Sequence, residues 1–233
     1  MKCVILAGGF GTRFVEETKI RPKPLIEIGD HPIIWHIMKR YANFGIDDFV
    51  VCCGYKADMI KNYFKTFDES WNVSCIDTGL KTMTGGRLKK IQKLIKDETF
   101  CCTYGDTLND VDIRNLIDFH KDSHTFATVT ACKPPEKYGV LTIQKNFVTE
   151  FKEKPLLEGM WVNGGYFVLE PTIFDYIVDD STVWEKEPLE NLAKDKKLSA
   201  YEHTGFYKPM DTFSDKTYLE NLWNQGAAPW QIC

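Results

Sequence analysis

No Cys-x-x-Cys pair occurs among the eight cysteines, and none of the five histidines stands at metal-ligand spacing or beside a plausible nucleophile. Those absences remove the usual signatures of structural zinc, dithiol redox chemistry and His-assisted nucleophilic catalysis. Cys52-Cys53 and Cys101-Cys102 fall inside apolar runs, where a reduced cysteine packs as a small hydrophobe. Positive charge is not in excess either: 29 Lys and Arg against 33 Asp and Glu leave a formal net charge of −4. A chain with that balance lacks the cationic surface that binds a nucleic-acid backbone, so no nucleic-acid partner is expected. Long hydrophobic runs are missing as well. The opening Met1-Lys2-Cys3-Val4-Ile5-Leu6-Ala7 is broken at Gly8, too short for a signal or a membrane span. The expected location is the cytoplasm, with no membrane partner. No tract rich in Pro, Gly or Ser, no repeat and no low-complexity segment parts the chain, so residues 1–233 read as a single domain.

What is present is an alternation. Short apolar runs at residues 2–7, 48–53, 72–76 and 99–104 are separated by stretches with helical periodicity, the pattern of an α/β fold with a parallel sheet and crossover helices. A first clear helix is expected from an Asp30 N-cap, with Pro32 in its first turn, a face of Ile33, Ile34, Ile37, Met38, Tyr41 and Phe44, and a stop at Gly45. A second buries Leu88, Ile91, Leu94 and Ile95, and a third Ile113, Leu116, Ile117 and His120. From residue 126 the rhythm shortens: 126–132, 140–143, 148–151 and 166–169 read as strands, so the sheet becomes mixed, and 213–223 closes the chain as a helix. The expected class is α/β, a Rossmann-like, mixed and mostly parallel sheet flanked by helices. Trp71, Trp161 and Trp223 are scattered rather than interleaved with basic residues and read as packing groups.

The first strand runs into Gly8-Gly9-Phe10-Gly11-Thr12-Arg13. Glycines there let backbone N–H groups approach an anion without obstruction by Cβ, although a tight turn alone would also use them. The loop lacks the Gly-Lys-Ser/Thr ending of a P-loop, and Phe14 stands where a dinucleotide fingerprint has its third glycine, which disfavours both of those nucleotide folds. Arg13 can clasp phosphate oxygens in two places, and Lys23 adds a point charge on a segment stiffened by Pro22 and Pro24. Tyr104-Gly105-Asp106 ends the fourth apolar run, outside the carboxyl end of a strand, where open α/β sheets collect ligands. Asp106 there can hold Mg²⁺, with Asp211 as the candidate second carboxylate. Each could equally be a turn former or a cap, and Asp110 and Asp112 compete as acidic neighbours, Asp112 reading better as the cap of the next helix.

Together with Arg21-Pro22-Lys23-Pro24-Leu25, the glycine segment resembles the Leu-Ala-Gly-Gly-x-Gly-Thr-Arg and Lys-Pro-Lys-Pro signature of the sugar-1-phosphate nucleotidyltransferases. Trp35-His36-Ile37-Met38, Cys53-Gly54-Tyr55-Lys56, Thr78-Gly79, Met83-Thr84-Gly85-Gly86-Arg87-Leu88-Lys89 and Trp184-Glu185-x-Glu187-Pro188-Leu189 match, in order, the members that use CTP and glucose 1-phosphate. The likeness spans nearly the whole chain. It implies a GT-A-like fold and an Mg²⁺-dependent transfer in which CTP and a sugar 1-phosphate, foremost α-D-glucose 1-phosphate, give a CDP-sugar and pyrophosphate. A different phosphorylated acceptor, or a dTTP- or UTP-using member, is the alternative.

By the same resemblance Arg13, Lys23 and Asp106 are the catalytic set and Asp106 and Asp211 the metal ligands. The nucleotide falls to Leu6, Ala7, Gly8, Gly9, Gly11, Thr12, Arg13, Lys23, Thr84, Gly85, Gly86, Arg87 and Gly105, with the base near Gly85-Gly86 and Arg87 close to the phosphates. The acceptor falls to Tyr138, Gly139, Glu153, Lys154, Asn163, Gly165 and Glu187. Glu-Lys-Pro is also an ordinary exposed loop, Asn163-Gly164 an ordinary turn, and Glu187 beside Pro188 an ordinary helix start. The nucleotide part is expected at about 1–125, the acceptor part at about 126–233, and the assembly as a homo-oligomer. Asp110-Val111-Asp112 keeps a metal-dependent glycosyltransferase as a rival from another class, and a catalytically silent nucleotide sensor is a second. The chain departs from the family between Tyr63 and Asp77, where it lacks a longer insertion.

Overall fold

The computed structural model describes residues 1–12, 14–67, 69–133, 140–152 and 160–231. Its elements run β1 (Lys2–Ala7), α1 (Val15–Thr18), β2 (Glu27–Ile28), β3 (His31–Pro32), α2 (Ile33–Asn43), β4 (Asp48–Cys53), α3 (Ala57–Lys65) and β5 (Asn72–Asp77). They continue with α4 (Thr84–Ile95), β6 (Phe100–Tyr104), β7 (Thr107–Asn109), α5 (Ile113–Ser123), β8 (Ala127–Cys132), β9 (Val140–Gln144), β10 (Phe147–Lys152) and β11 (Val162–Leu169). The last are α6 (Glu187–Lys194), β12 (Leu198–His203), β13 (Tyr207–Pro209) and α7 (Phe213–Asn224).

Seven strands form the main sheet in the order β12-β8-β11-β6-β1-β4-β5. Neighbours β6, β1, β4 and β5 are parallel, as are β8 and β12, while β11 runs antiparallel to both β6 and β8. The sheet is thus mostly parallel with one reversed strand, as the change of rhythm after residue 126 predicts. Its central strands read as unbroken apolar runs because both faces are covered, and period two sorts their residues between two cores. Cys3, Ile5, Phe49, Val51, Cys53 and Cys101 pack on one side; Val4, Leu6, Val50, Cys52, Phe100 and Cys102 pack on the other. The paired cysteines are therefore packing groups on opposite faces, all free, and burial pushes the Cys52 and Cys101 thiols up to about 12. Among the described residues no helix is long and apolar enough to cross a membrane.

Two expectations about helices give way. Asp30 is not the cap of α2: Gly29, at φ 61°, turns the chain between β2 and β3, and the helix begins after Pro32 without a side-chain cap. A Cβ on Gly29 would lie 2.0 Å from Trp223 Nε1, so the turn is also where the C-terminal helix docks. Leu94 is 40% exposed and leaves the buried face of α4 to Leu88, Ile91 and Ile95. Asp112 does cap α5, accepting from the Asn115 amide at 2.9 Å.

Candidate active site

A cavity of about 640 Å³ opens at the carboxyl ends of β1 and β6 and includes Leu6, Ala7, Gly8, Gly9, Gly11, Thr12, Lys23, Thr84, Arg87, Gly105, Asp106, Asn163 and Asp211 in its lining. Of the sequence-derived site residues, Arg13, Tyr138, Gly139, Glu153 and Lys154 lie outside the described residues.

The first wall is the glycine loop. Gly8 is buried, whereas Gly9 and Thr12 are exposed to the cavity. Gly11 takes φ 63° and its carbonyl accepts from the Phe14 amide at 2.9 Å, curling the chain into α1, while Phe14 itself is 3% exposed and anchors the turn in the core. That anchoring explains an aromatic at the place where a dinucleotide loop has glycine.

Arg87 lies behind this loop and is 4% exposed. Its Nη1 donates to the carbonyls of Cys53 and Gly79, both at 2.9 Å, and to Thr78 Oγ1 at 2.6 Å. Its Nη2 donates to the Gly8 carbonyl at 2.9 Å. A Cβ on Gly8 would come within 2.2 Å of the guanidinium carbon, and one on Gly54 within 2.5 Å of Nη1. These two glycines are needed because an arginine, not only an anion, approaches their backbone. The side chain expected near the phosphates lines the cavity and bonds the protein through both Nη atoms, joining the ends of β1, β4 and β5.

Gly85 and Gly86 are absent from the cavity lining. A Cβ on Gly85 would stand 2.8 Å from the Thr182 carbonyl oxygen, and one on Gly86 2.6 Å from Asp180 Cα, so the pair lets α4 pack on residues 180–182. Around the glycine pair, Leu80, Lys81, Thr82, Met83 and Thr84 before it and Arg87 after it line the cavity.

The charged floor joins three distant segments. Lys23 begins a 3-10 turn at Lys23–Leu25, Asp106 follows β6, and Asp211 follows β13. Antiparallel pairing of β13 with β7 sets Pro209 opposite Thr107, and the Met210 amide donates to the Asp106 carbonyl at 2.9 Å, which brings the two aspartates together. Lys23 Nζ then lies 2.7 Å from Asp106 Oδ2 and 2.8 Å from Asp211 Oδ1. Burial alone lowers the Lys23 pKa, but Asp106 and Asp211 outweigh it and hold the ammonium above its ordinary value. Asp211 is not the helix cap: Thr212 is, in a capping box with Asp215.

Two carboxylate oxygens converging on one cation fit Mg²⁺, which takes hard oxygen donors and often uses one or two carboxylates plus substrate phosphates. Among the described residues no group of three or more His, Cys, Asp or Glu side chains could hold a metal. Asp110 and Asp112 stand elsewhere, Asp110 Oδ1 lying 2.8 Å from His203 Nε2 and Asp112 capping α5.

The opposite wall joins Thr84 and Asn163, which the sequence singled out, to Glu185 and Tyr104, which it did not. Glu185 accepts from Tyr104 OH and from Thr84 Oγ1, each at 2.6 Å, and Asn163 Nδ2 donates to Tyr104 OH at 3.2 Å. Burial, with the Glu185 carboxylate adding to it, raises the Tyr104 phenol far above its usual range, so it stays a donor. Glu187 is exposed in the first turn of α6 and off the cavity lining; Glu185, two residues earlier, is on it. Gly165, at φ 77°, lies against the Tyr104 ring, where a Cβ would come within 2.7 Å. Tyr207 also lines the cavity, and its OH donates to the Asn163 carbonyl at 3.2 Å.

Known proteins resemble this chain in sequence and in fold. A family model described as nucleotidyl transferase matches residues 2–223. Glucose-1-phosphate cytidylyltransferase of Salmonella typhi is 50% identical over 254 aligned positions, covering 99% of each chain, and the Salmonella typhimurium protein of the same name is 49% identical with the same coverage. The alignment is longer than the 233 residues of this chain, so these relatives carry residues that it lacks. Mannose-1-phosphate guanyltransferase of Candida albicans is 32% identical over 94% of this chain and 63% of its own. Among solved structures, UDP-glucose pyrophosphorylase complexed with UDP-glucose superposes with a TM-score of 0.76 at 20% identity, covering 97% of this chain and 98% of that one. HddC of Yersinia pseudotuberculosis complexed with GMP-PN does so at 0.75 and 24%, covering 95% and 99%. At those identities the structures establish a shared fold, and the sequence matches go further: this chain belongs to the nucleotidyl transferase family.

Proposed function

We propose that the protein is a cytoplasmic, Mg²⁺-dependent glucose-1-phosphate cytidylyltransferase, which joins CTP and α-D-glucose 1-phosphate to give CDP-glucose and pyrophosphate. The observation that carries this reading is the convergence of Lys23, Asp106 and Asp211 beside an exposed glycine loop at the strand ends. The 50% identity to a relative of that name over 99% of both chains supports the choice of substrates.

A phosphate oxygen of the sugar 1-phosphate attacks the α-phosphorus of CTP and the bond to pyrophosphate breaks. The attacking oxygen is already anionic, so no general base is required. The obstacle is repulsion between two anions, about 4 kcal/mol per charge pair near 4 Å at an effective dielectric of 20. Backbone N–H groups of Gly9, Gly11 and Thr12 bind the triphosphate, and Lys23 and Arg13 supply positive charge to it. Mg²⁺ held by Asp106 and Asp211 would supply the remaining neutralisation. Lys154 binds the acceptor phosphate and Glu153 its sugar hydroxyls, and Asn163 also serves the acceptor. The nucleotide is held by residues of the first 125 positions and the acceptor chiefly by those from 126 onward. The protein works as a homo-oligomer and without nucleic acid.

Incubation with CTP, Mg²⁺ and glucose 1-phosphate should release pyrophosphate and form CDP-glucose. No release with any nucleoside triphosphate and any sugar phosphate would refute transfer altogether. Release only with dTTP or UTP would overturn the nucleotide assignment. The residues present in the Salmonella relatives and lacking here favour one specific second reading, a different phosphorylated acceptor, which a panel of sugar 1-phosphates with CTP tests directly.

A further inference from the structure

Lys23 stands where a cation shared by Asp106 and Asp211 would stand. Its ammonium bonds one oxygen of each carboxylate, at 2.7 and 2.8 Å, and its side chain is 10% exposed. Oxygens that converge on one ammonium bracket a point that a small divalent ion also fits, since Mg²⁺ holds carboxylate oxygens at about 2.0–2.1 Å. The two cations compete for the same oxygens and repel each other at that range. Lysine suits an exchange of this kind because its charge is a compact point on a flexible stem.

The Asp106 carboxylate and the Asp211 backbone are held independently of Lys23. Thr107 Oγ1 donates to Asp106 Oδ1 at 3.2 Å, and the Asp211 amide donates to Asp215 Oδ2 at 3.1 Å. The lysine backbone is held too, between Pro22 and Pro24 and by the Ile26 amide, which donates to the Lys23 carbonyl at 3.1 Å. What is left to move is the side chain, and Gly9, Gly11 and Thr12 line the same cavity to which it would turn.

We propose that in the nucleotide-free enzyme Lys23 occupies the metal position between Asp106 and Asp211, so that a divalent ion enters only when a triphosphate draws the ammonium away. This rests on the nucleotidyl-transfer reading above and adds an order of loading to it. The free protein is held in a state that rejects bare metal, and the lysine is delivered to the phosphates by the same event that opens the metal site.

The test is direct binding of Mn²⁺ alone, followed by the electron paramagnetic resonance signal of the free ion. Wild-type protein without nucleotide should bind Mn²⁺ weakly, and Lys23→Met should bind it at least about tenfold more tightly, the scale of a typical coupling between sites. Adding Asp106→Asn to Lys23→Met should abolish the gain. Melting curves establish that each variant is folded; if two apposed carboxylates unfold the Met variant, Lys23→Gln, which keeps amide donors, carries the same comparison. Equal Mn²⁺ affinity in wild type and the Lys23 variants would overturn the proposal, as would a gain that survives Asp106→Asn. Either result would leave pyrophosphate release by the wild type untouched, whereas absent release with the Mn²⁺ pattern intact would refute transfer and not the exchange.

Discussion

The two walls of the cavity are made in different ways. The glycine-loop wall is backbone, held from behind by one buried arginine whose four hydrogen bonds reach three strand ends. The opposite wall is side chain: Glu185, Tyr104, Thr84 and Asn163 bond one another across α4, β6, β11 and the segment before α6. A backbone wall presents the same donors whatever the neighbouring side chains are, and its shape depends on small residues at fixed places. A side-chain wall changes its hydrogen-bonding character with a single substitution. A wall of the first kind fits an invariant anion, and one of the second kind fits a group that varies.

The comparison can be broken at the floor that both walls share. Asp106→Asn should lower kcat by on the order of 10³, the loss seen when one electrostatic contact to a transition state is removed, while the melting transition stays cooperative. Full activity in that variant would show that Asp106 has no part in the chemistry. Arg87→Met should act through the first wall, taking one donor from each of the oxygens of Cys53, Thr78 and Gly8 and leaving a cavity behind the loop, at a cost of about 3 kcal/mol. In calorimetry that is a drop in Tm of roughly 6–12 °C for a chain of this size, partly restored by Arg87→Lys. An unchanged Tm would mean that Arg87 does not hold the loop.

A pH dependence separates the walls from the core behind them. His36 is 2% exposed, bonded to the Ile28 carbonyl at 2.9 Å and packed edge-on to Trp223 and Trp230. Burial is the main reason that its pKa falls from 6.5 to about 4, the Ile28 carbonyl acting in the opposite sense. The folded value lies below the unfolded one, so this stabilisation is complete above about pH 6.5 and is lost as pH falls toward 4, up to about 3 kcal/mol. Urea midpoints at pH 7 and pH 4.5 should differ by less in His36→Gln than in wild type; an equal difference would assign the acid sensitivity to other groups. The smallest effect belongs to the second wall. Glu185→Gln can still accept from one of its two donors, so the acceptor KM should rise about tenfold with the CTP KM little altered. A change in the CTP KM alone would place Glu185 against the nucleotide and erase the proposed division.

The first wall was the legible one. Gly8, Gly9 and Gly11 after an apolar run, Lys23 between two prolines and Asp106 at a strand end are local patterns, and all of them line the cavity. Glu185 follows Trp184 in a stretch with two glutamates, and nothing local distinguishes it from Glu187; facing the cavity depends on where residues 180–185 cross the start of α4. Tyr104 likewise read as the end of a strand, and only its Glu185 and Asn163 partners make it part of the site. Arg87 could be read as a cation but not as a buried one, because its partners come from three other segments. Asp30 failed as a cap for a similar reason: the turn at Gly29 is set by Trp223, near the far end of the chain.

The sequence by itself determined the periodicities that build an α/β sheet, the glycines that keep its first loop open, and the presence of one lysine and two aspartates suited to phosphate and metal. Local steric and hydrophobic preferences act over a few residues and leave their mark in order. Tertiary structure alone decided that Lys23 lies between Asp106 and Asp211, that Arg87 turns inward and that Glu185 rather than Glu187 reaches the cavity. Those outcomes depend on strand pairings and on packing between distant segments, whose geometry no short stretch of sequence contains.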